Sequence, residues 1–209
     1  VTVADLDGDG RDDLVVPSHF GAPGRAMIRF GTDRGPGEPI VVPGGPGGLE
    51  LDHTIAVGDL DGDEDPDLAV ALFTGDGPGA IEILGNDGAG GFTRAGWIPG
   101  RGLISIGDLD GDGRSDLASV RDGPSLASGR AHVAFGRSGG LPGRRFVLVG
   151  PRDVAVPVAA AGTNGPADLV TLDGELVRLE RRRPDGGFDV IDSGSLPPLP
   201  GAPPASIVP

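Results

Sequence analysis

One ten-residue phrase occurs three times in this chain. Asp5–Leu14 reads DLDGDGRDDL, Asp59–Leu68 reads DLDGDEDPDL and Asp108–Leu117 reads DLDGDGRSDL. The copies start 54 and 49 residues apart. A further 52 residues on, Ala160–Leu169 reads AAGTNGPADL, the same frame with most of its acids gone. Repetition at a period near fifty constrains the fold more tightly than any local propensity. Each repeat is then one supersecondary unit that cannot cover its own faces and must stack on its neighbours.

The flanks of the phrase repeat as well. A short apolar strand precedes each copy (Val1–Ala4, Thr54–Gly58, Leu103–Gly107, Val154–Ala159), and a second follows it (Leu14–Val16, Leu68–Phe73, Leu117–Val120, Leu169–Leu172). A third comes after a Gly/Pro loop (Ala26–Phe30, Ala80–Leu84, Ala131–Phe135, Glu175–Glu180), and a polar turn leads to a fourth (Pro39–Val42, Phe92–Ile98, Phe146–Val149, Phe188–Ile191). Four strands per unit with hairpin-length links predict an all-β chain, a β-propeller of four-stranded antiparallel blades. The blades fall at about 1–45, 46–99, 100–150 and 151–195. Residues 196–209 form a Pro-rich tail or the start of a further blade.

Composition agrees with that reading. Gly 40 and Pro 21 among 209 residues exclude long helices, whose interiors tolerate neither. With only seven Phe and Trp97, the blades must meet through Val, Ile, Leu and Ala. The chain has no cysteine, which excludes disulfides, thiolate catalysis and cysteine-ligated metal. A net charge of −14 repels nucleic-acid phosphate and anionic lipid, so neither nucleic acid nor membrane insertion is expected. The chain has no initiator Met, and Val1 already reads as strand, so a fragment or processed form is expected.

The acidic phrase has the chemistry of a cation loop. Asp5, Asp7 and Asp9 alternate, Gly10 permits a sharp turn, and Asp13 closes the run. Crowded carboxylates repel unless a cation joins them. Hard oxygens at alternate positions suit calcium, and magnesium less so because it retains more water. The same frame places Asp59, Asp61, Asp63 and Asp67 in the second loop and Asp108, Asp110, Asp112 and Asp116 in the third. The seventh positions, Arg11, Asp65 and Arg114, would add main-chain oxygens. An EF-hand is excluded twice over. Its twelfth-position Glu is replaced by Val16, Val70 and Ser119, and strands rather than helices flank the loops.

The three loops, with the stretch DLAVALFTGDGPGAIEILGNDGAGGF from Asp67 to Phe92, resemble the FG-GAP or VCBS repeat of integrin α-subunit heads and many secreted bacterial proteins. The resemblance runs from Val1 to about Asp192, and a literal FGAP stands at Phe20–Pro23. It implies a calcium loop joining the first and second strands of each blade. It also implies a larger ring of about seven blades, of which four are visible. The opposite face would meet a protein or glycan ligand through Ser18–Gly24, Gly75–Gly79, Asp122–Gly129, Pro43–Asp52 and Pro99–Gly102.

Two departures bear on the sites. Glu64 replaces the turn glycine of the second loop and Pro66 stiffens it, so that site is expected to be the weaker, although Glu64 could itself help to hold the ion. Ala160 and Gly162 replace the first two acids of the fourth repeat and leave Asn164 and Asp168, so no ion is expected there. Up to three Ca2+ are therefore expected.

Catalytic signals are weak. Gly136-Arg137-Ser138-Gly139-Gly140 fits G-x-S-x-G, but it aligns with hairpin turns in the other repeats rather than with a strand-to-helix elbow. His19, His53 and His132 fall in different blades or at different depths of the repeat and form no metal pair. Arg181–Arg183 reads as a solvated turn. Trp97 reads as a fourth-strand residue covering the blade edge, with a sugar-stacking platform as the alternative. The expectation is a non-enzymatic, calcium-binding module, extracellular or at the cell surface, for recognition or adhesion. The alternative is an accessory domain of a secreted enzyme whose catalytic part lies outside this chain.

Overall fold

The computed structural model describes residues 1–17, 26–42, 50–73, 80–99, 104–121, 130–138, 140, 147–151, 154–158, 168–173, 176–183 and 188–195. Those residues form strands and turns, and no helix occurs among them, so none is long and apolar enough to cross a membrane. The first sheet contains β1 (Thr2–Ala4), β2 (Asp13–Pro17) and β3 (Ala26–Arg29). A two-stranded hairpin, β4 (Gly31–Thr32) with β5 (Gly35–Pro36), follows before β6 (Ile40–Val42) completes the sheet.

The second sheet is β7 (Glu50–Gly58), β8 (Asp67–Phe73), β9 (Ala80–Asn86) and β10 (Phe92–Pro99). The third is β11 (Ile104–Gly107), β12 (Asp116–Arg121), β13 (Arg130–Ala134) and β14 (Val147–Pro151). The fourth is β15 (Val154–Val158), β16 (Asp168–Asp173), β17 (Leu176–Arg182) and β18 (Phe188–Ser195). In all four, each strand pairs antiparallel with the next, giving four-stranded meanders of one plan.

Alternation of side chains explains how the sheets stack. Successive residues of a strand point to opposite faces. In β8, Leu68, Val70 and Leu72 join Leu6, Val15, Ala26, Ile28 and Val42 of the first repeat in one buried cluster. Ala69 and Ala71, on the other face, join Ile104, Leu117 and Ala134 of the third repeat. The next layer repeats the device, with Ala118 and Val133 packed with Leu169 of the fourth sheet. A sheet buried on both faces needs apolar residues at consecutive positions, which is why β8 reads LAVALF without a polar break. Fully burying each Leu, Ile or Val contributes about 1.5–3 kcal/mol, and here that gain exists only while the neighbouring blade is present.

The first strands lie side by side, with β7 between β1 and β11, and β11 in turn against β15. Their approach is close. A Cβ on Gly58 would fall 2.5 Å from Ile106 Cγ2, so this position takes glycine. Thr2 Oγ1 also reaches across to donate to the Ile55 carbonyl at 3.5 Å.

One local expectation is corrected. Arg181 and Arg182 do not form a turn, because β17 continues through both. Arg181 is held in the strand by a carboxylate of the neighbouring β16, described below. The segments expected to form the ligand-facing loops fall largely outside the described residues, as do His19 and the 196–209 tail.

Candidate metal centres

Each acidic loop joins the first strand of a sheet to its second. Its shape follows from two residues in the left-handed region. Gly8, Gly62 and Gly111 have φ of 71°, 85° and 78°, and two residues later Gly10, Glu64 and Gly113 have 83°, 75° and 85°. Glycine adopts this conformation freely, while a residue with a Cβ resists it. Glu64 is strained in the way its substitution for glycine predicts.

The leucine after each first acid anchors the loop. Leu6, Leu60 and Leu109 are fully buried, and each sits in the apolar layer between its own blade and the next. The sequence carries this signal as the repeated DL that opens each phrase, but nothing in one repeat says which neighbour receives the leucine.

The last acid of each loop is also buried, and it is used twice. Asp13 Oδ2 accepts the Leu6 N–H at 2.7 Å while Oδ1 accepts the Gly31 N–H at 2.7 Å. Asp67 does the same with Leu60 at 2.8 Å and Asn86 at 3.0 Å. Asp116 repeats the pattern with Leu109 at 2.7 Å and Gly136 at 2.8 Å. One carboxylate thereby fastens the acidic loop to the end of the third strand, and each oxygen keeps a lone pair for a further partner. The first acid shapes the turn: one oxygen of Asp5, Asp59 and Asp108 accepts the N–H of the sixth loop residue at 2.9, 3.0 and 2.9 Å.

The result is three clusters of one design. Carboxylate oxygens of Asp5, Asp7 and Asp13 lie within 4.8 Å of one another, as do those of Asp59, Asp61 and Asp67 and those of Asp108, Asp110 and Asp116. Each triad can hold a metal ion. Asp5 Oδ1 and Asp61 Oδ1 are buried without a hydrogen-bond partner, although a buried charged oxygen is costly to leave unmatched. An ion of the calcium or magnesium class fits this donor set: oxygens only, anionic, and converging on one point.

The fifth-position acids stand outside the triads. Asp9 Oδ1 accepts the Arg11 N–H at 2.8 Å and Oδ2 pairs with the Arg11 guanidinium, which also reaches Asp33 at 2.6 Å. Asp112 is paired with Arg114 in the same way. Asp63 accepts the Asp65 N–H at 3.0 Å, and no arginine stands at that seventh position. The Arg11 N–H and guanidinium hold Asp9 below the usual carboxylate range.

Four acids of the triads shift the opposite way. Burial pushes Asp67 up to about 6 despite two N–H donors, with Asp61 and Asp63 adding repulsion. Asp116 is likewise pushed up to about 6 by burial, with Asp110 and Asp108 adding to it. Asp61 and Asp7 are raised by burial first and by their acidic neighbours next. These carboxylates are short of positive charge.

The fourth repeat supplies that charge from within. Buried Asp168, aligned with Asp13, Asp67 and Asp116, takes a two-pronged bond from Arg181, Nε to Oδ1 and Nη2 to Oδ2, both 2.7 Å. No acidic triad occurs there among the described residues. Arg137 and Gly140 form an antiparallel bridge around Ser138, which places the G-x-S-x-G string at a hairpin turn. Trp97 is about half exposed on β10, the last strand of its sheet.

Two family models match this chain: the FG-GAP repeat over residues 1–35 and the FG-GAP-like repeat over residues 59–119. The first match contains the first acidic loop, and the second runs from the second loop through the third. The chain is an FG-GAP repeat protein. The all-β meanders stacked face to face are the blades that such repeats form in propellers. No curated protein matches the FG-GAP chain.

Proposed function

We propose that this FG-GAP protein is a non-enzymatic, calcium-binding propeller module that recognises a protein or glycan outside the cell or at its surface. The observation that carries the metal reading is the convergence of three carboxylates in each of three loops, with buried oxygens of Asp5 and Asp61 left unpaired. Calcium is favoured over magnesium because the loops offer several protein oxygens in a flexible turn rather than one or two carboxylates and a shell of water. The ion would be held by the first, third and ninth acids of each loop. Its role is to clamp the loop that carries a blade-to-blade leucine.

Extracellular calcium modules bind at about 10⁻⁴ to 10⁻³ M, and sites of that strength would suit a setting where calcium is abundant, which supports the extracellular reading. Recognition then belongs to loops carried on a calcium-stiffened scaffold. The half-exposed Trp97 supplies a face on which a sugar ring could stack.

Melting in calcium and in chelator tests the metal reading. At 10 mM calcium and those affinities, each occupied site stabilises by about 1.4–2.7 kcal/mol. A chain of this size gains about 2–4 °C per kcal/mol, so an increase of at least about 5 °C is expected. Asp5→Ala and Asp108→Ala should each remove part of it. Identical melting in calcium and chelator, with no heat of binding by calorimetry, would overturn the reading.

A further inference from the structure

Asn86 holds a place that glycine fills in the first and third repeats. In the first and third sheets the residue whose N–H meets the last acid is Gly31 or Gly136, and in the second it is Asn86. Its side chain is buried between two loops of different blades. Nδ2 donates to the Leu6 carbonyl at 2.8 Å, eighty residues away in sequence, and to the Pro66 carbonyl at 3.1 Å. Oδ1 accepts the Asp87 N–H at 2.9 Å, which fixes the amide's orientation.

The two ends of Leu6 and of Asn86 make a continuous path. Asp13 of the first triad accepts the Leu6 N–H at 2.7 Å, and the Leu6 carbonyl accepts the Asn86 side chain at 2.8 Å. The Asn86 N–H then meets Asp67 of the second triad at 3.0 Å. Two residues and three hydrogen bonds therefore connect the buried acid of one triad to the buried acid of the next. Loops two and three have a different link, a 3.3 Å main-chain bond from the Ser115 N–H to the Asp59 carbonyl.

We propose that Asn86 couples the first two metal loops, so that an ion in one raises the affinity of the other. The proposal rests on the calcium reading above. An ion on Asp13 fixes that carboxylate and with it the Leu6 peptide. A fixed Leu6 carbonyl holds the Asn86 amide, whose N–H sets Asp67 for the second ion. Ordering paid by the first ion is not paid again by the second, which gives positive cooperativity. Linkage requires the same factor in both directions.

The test is a calcium titration of the intact, ¹⁵N-labelled chain, read at the Leu6 and Gly31 amides for the first site and at Leu60 for the second. Asp61→Ala, which disables the second site, is expected to weaken the first by about three- to tenfold, the range that one neutral hydrogen bond supports. Asp7→Ala should weaken the second by the same factor. In an Asn86→Gly background, which gives this position the glycine of its sister repeats, both effects should shrink below about twofold. If Asn86→Gly loses its dispersed spectrum, Asn86→Ser keeps the main-chain donor, is too short to reach Leu6, and serves the same comparison. Full coupling retained without the Asn86 amide, or none with it, overturns the proposal while leaving the calcium reading intact. Leu6 and Leu60 amides that ignore calcium altogether overturn both.

Discussion

Glu64 sits at φ 75°, where each sister loop has glycine, and its N–H still reaches Asp59 at 3.0 Å. The hydrogen bond compels the backbone into a region that costs a residue with a Cβ about 1–2 kcal/mol. Glycine would relieve that strain, less about 0.5–1 kcal/mol for its freer unfolded chain. Glu64→Gly is therefore expected to stabilise the protein by about 0.5–1 kcal/mol in urea denaturation, whereas Glu64→Ala, which keeps the Cβ, should give no such gain. Asp67 and Asp116 bear on pH. Both are raised to about 6 from an ordinary value of 3.8, so the folded chain binds protons more tightly than the unfolded one between those limits. Stability of the metal-free protein from these groups is thus greatest below pH 4 and declines as pH rises through 6. Calcium binds the ionised form, so its effect has the opposite slope. Thermal melts from pH 4.5 to 7.5 should show the chelated protein losing stability with rising pH. The calcium increment should grow over the same span, with affinity at these two sites falling about tenfold per pH unit below 6. A calcium increment independent of pH would count against Asp67 and Asp116 as ligands.

The acidic loop behaves as an element with two separable parts, a leucine anchor and a charged rim. Leu60→Ala leaves every carboxylate in place but removes a fully buried side chain between the second and third blades, a loss of about 2–5 kcal/mol. Asp61→Asn keeps the shape and removes a charge whose pKa is raised by burial and then by acidic neighbours, and whose Oδ1 is unmatched. In chelator, Leu60→Ala should melt well below the parent and Asp61→Asn at or above it; in calcium, Asp61→Asn should lose most of the increment from its site. Much of this element was legible in the sequence. The fifty-residue period placed all sixteen blade strands, because turn residues and apolar runs alternate so regularly, and the alternate aspartates marked the loops. What escaped was set by neighbours distant in sequence. Arg11 and Arg114 engage the fifth-position acids, pairings that the spacing of the loop does not reveal. Asn86 looks like an ordinary turn residue until the first loop is laid beside it. Arg181 looks like part of a solvated basic run, yet the pairing of β16 with β17 brings it onto Asp168.

Across the whole molecule, three blades each converge acids that could hold an external cation, while the fourth pairs its buried acid with a guanidinium of its own. Stability in a stacked array is close to a sum of unit terms and nearest-neighbour interfaces, so losing the ions should not weaken all blades alike. The first three loops hold Leu6, Leu60 and Leu109 at successive interfaces; on the proposed calcium reading, chelation would loosen the acids that fasten those loops. In the fourth sheet, the two bonds from Arg181 to Asp168 need no ion to form. Hydrogen exchange reads the difference directly. On adding chelator, amides of β8 and β12 should lose protection by about tenfold or more, the equivalent of about 1.4 kcal/mol, while those of β16 and β17 change far less. Arg181→Met should reverse the fourth sheet's advantage, with β16 and β17 exchanging faster in calcium and in chelator alike, because methionine keeps the apolar stem and supplies no charge to Asp168. Equal loss across all four sheets on chelation would mean that the ions act on the array as one body, and the internal guanidinium would then have no separate role.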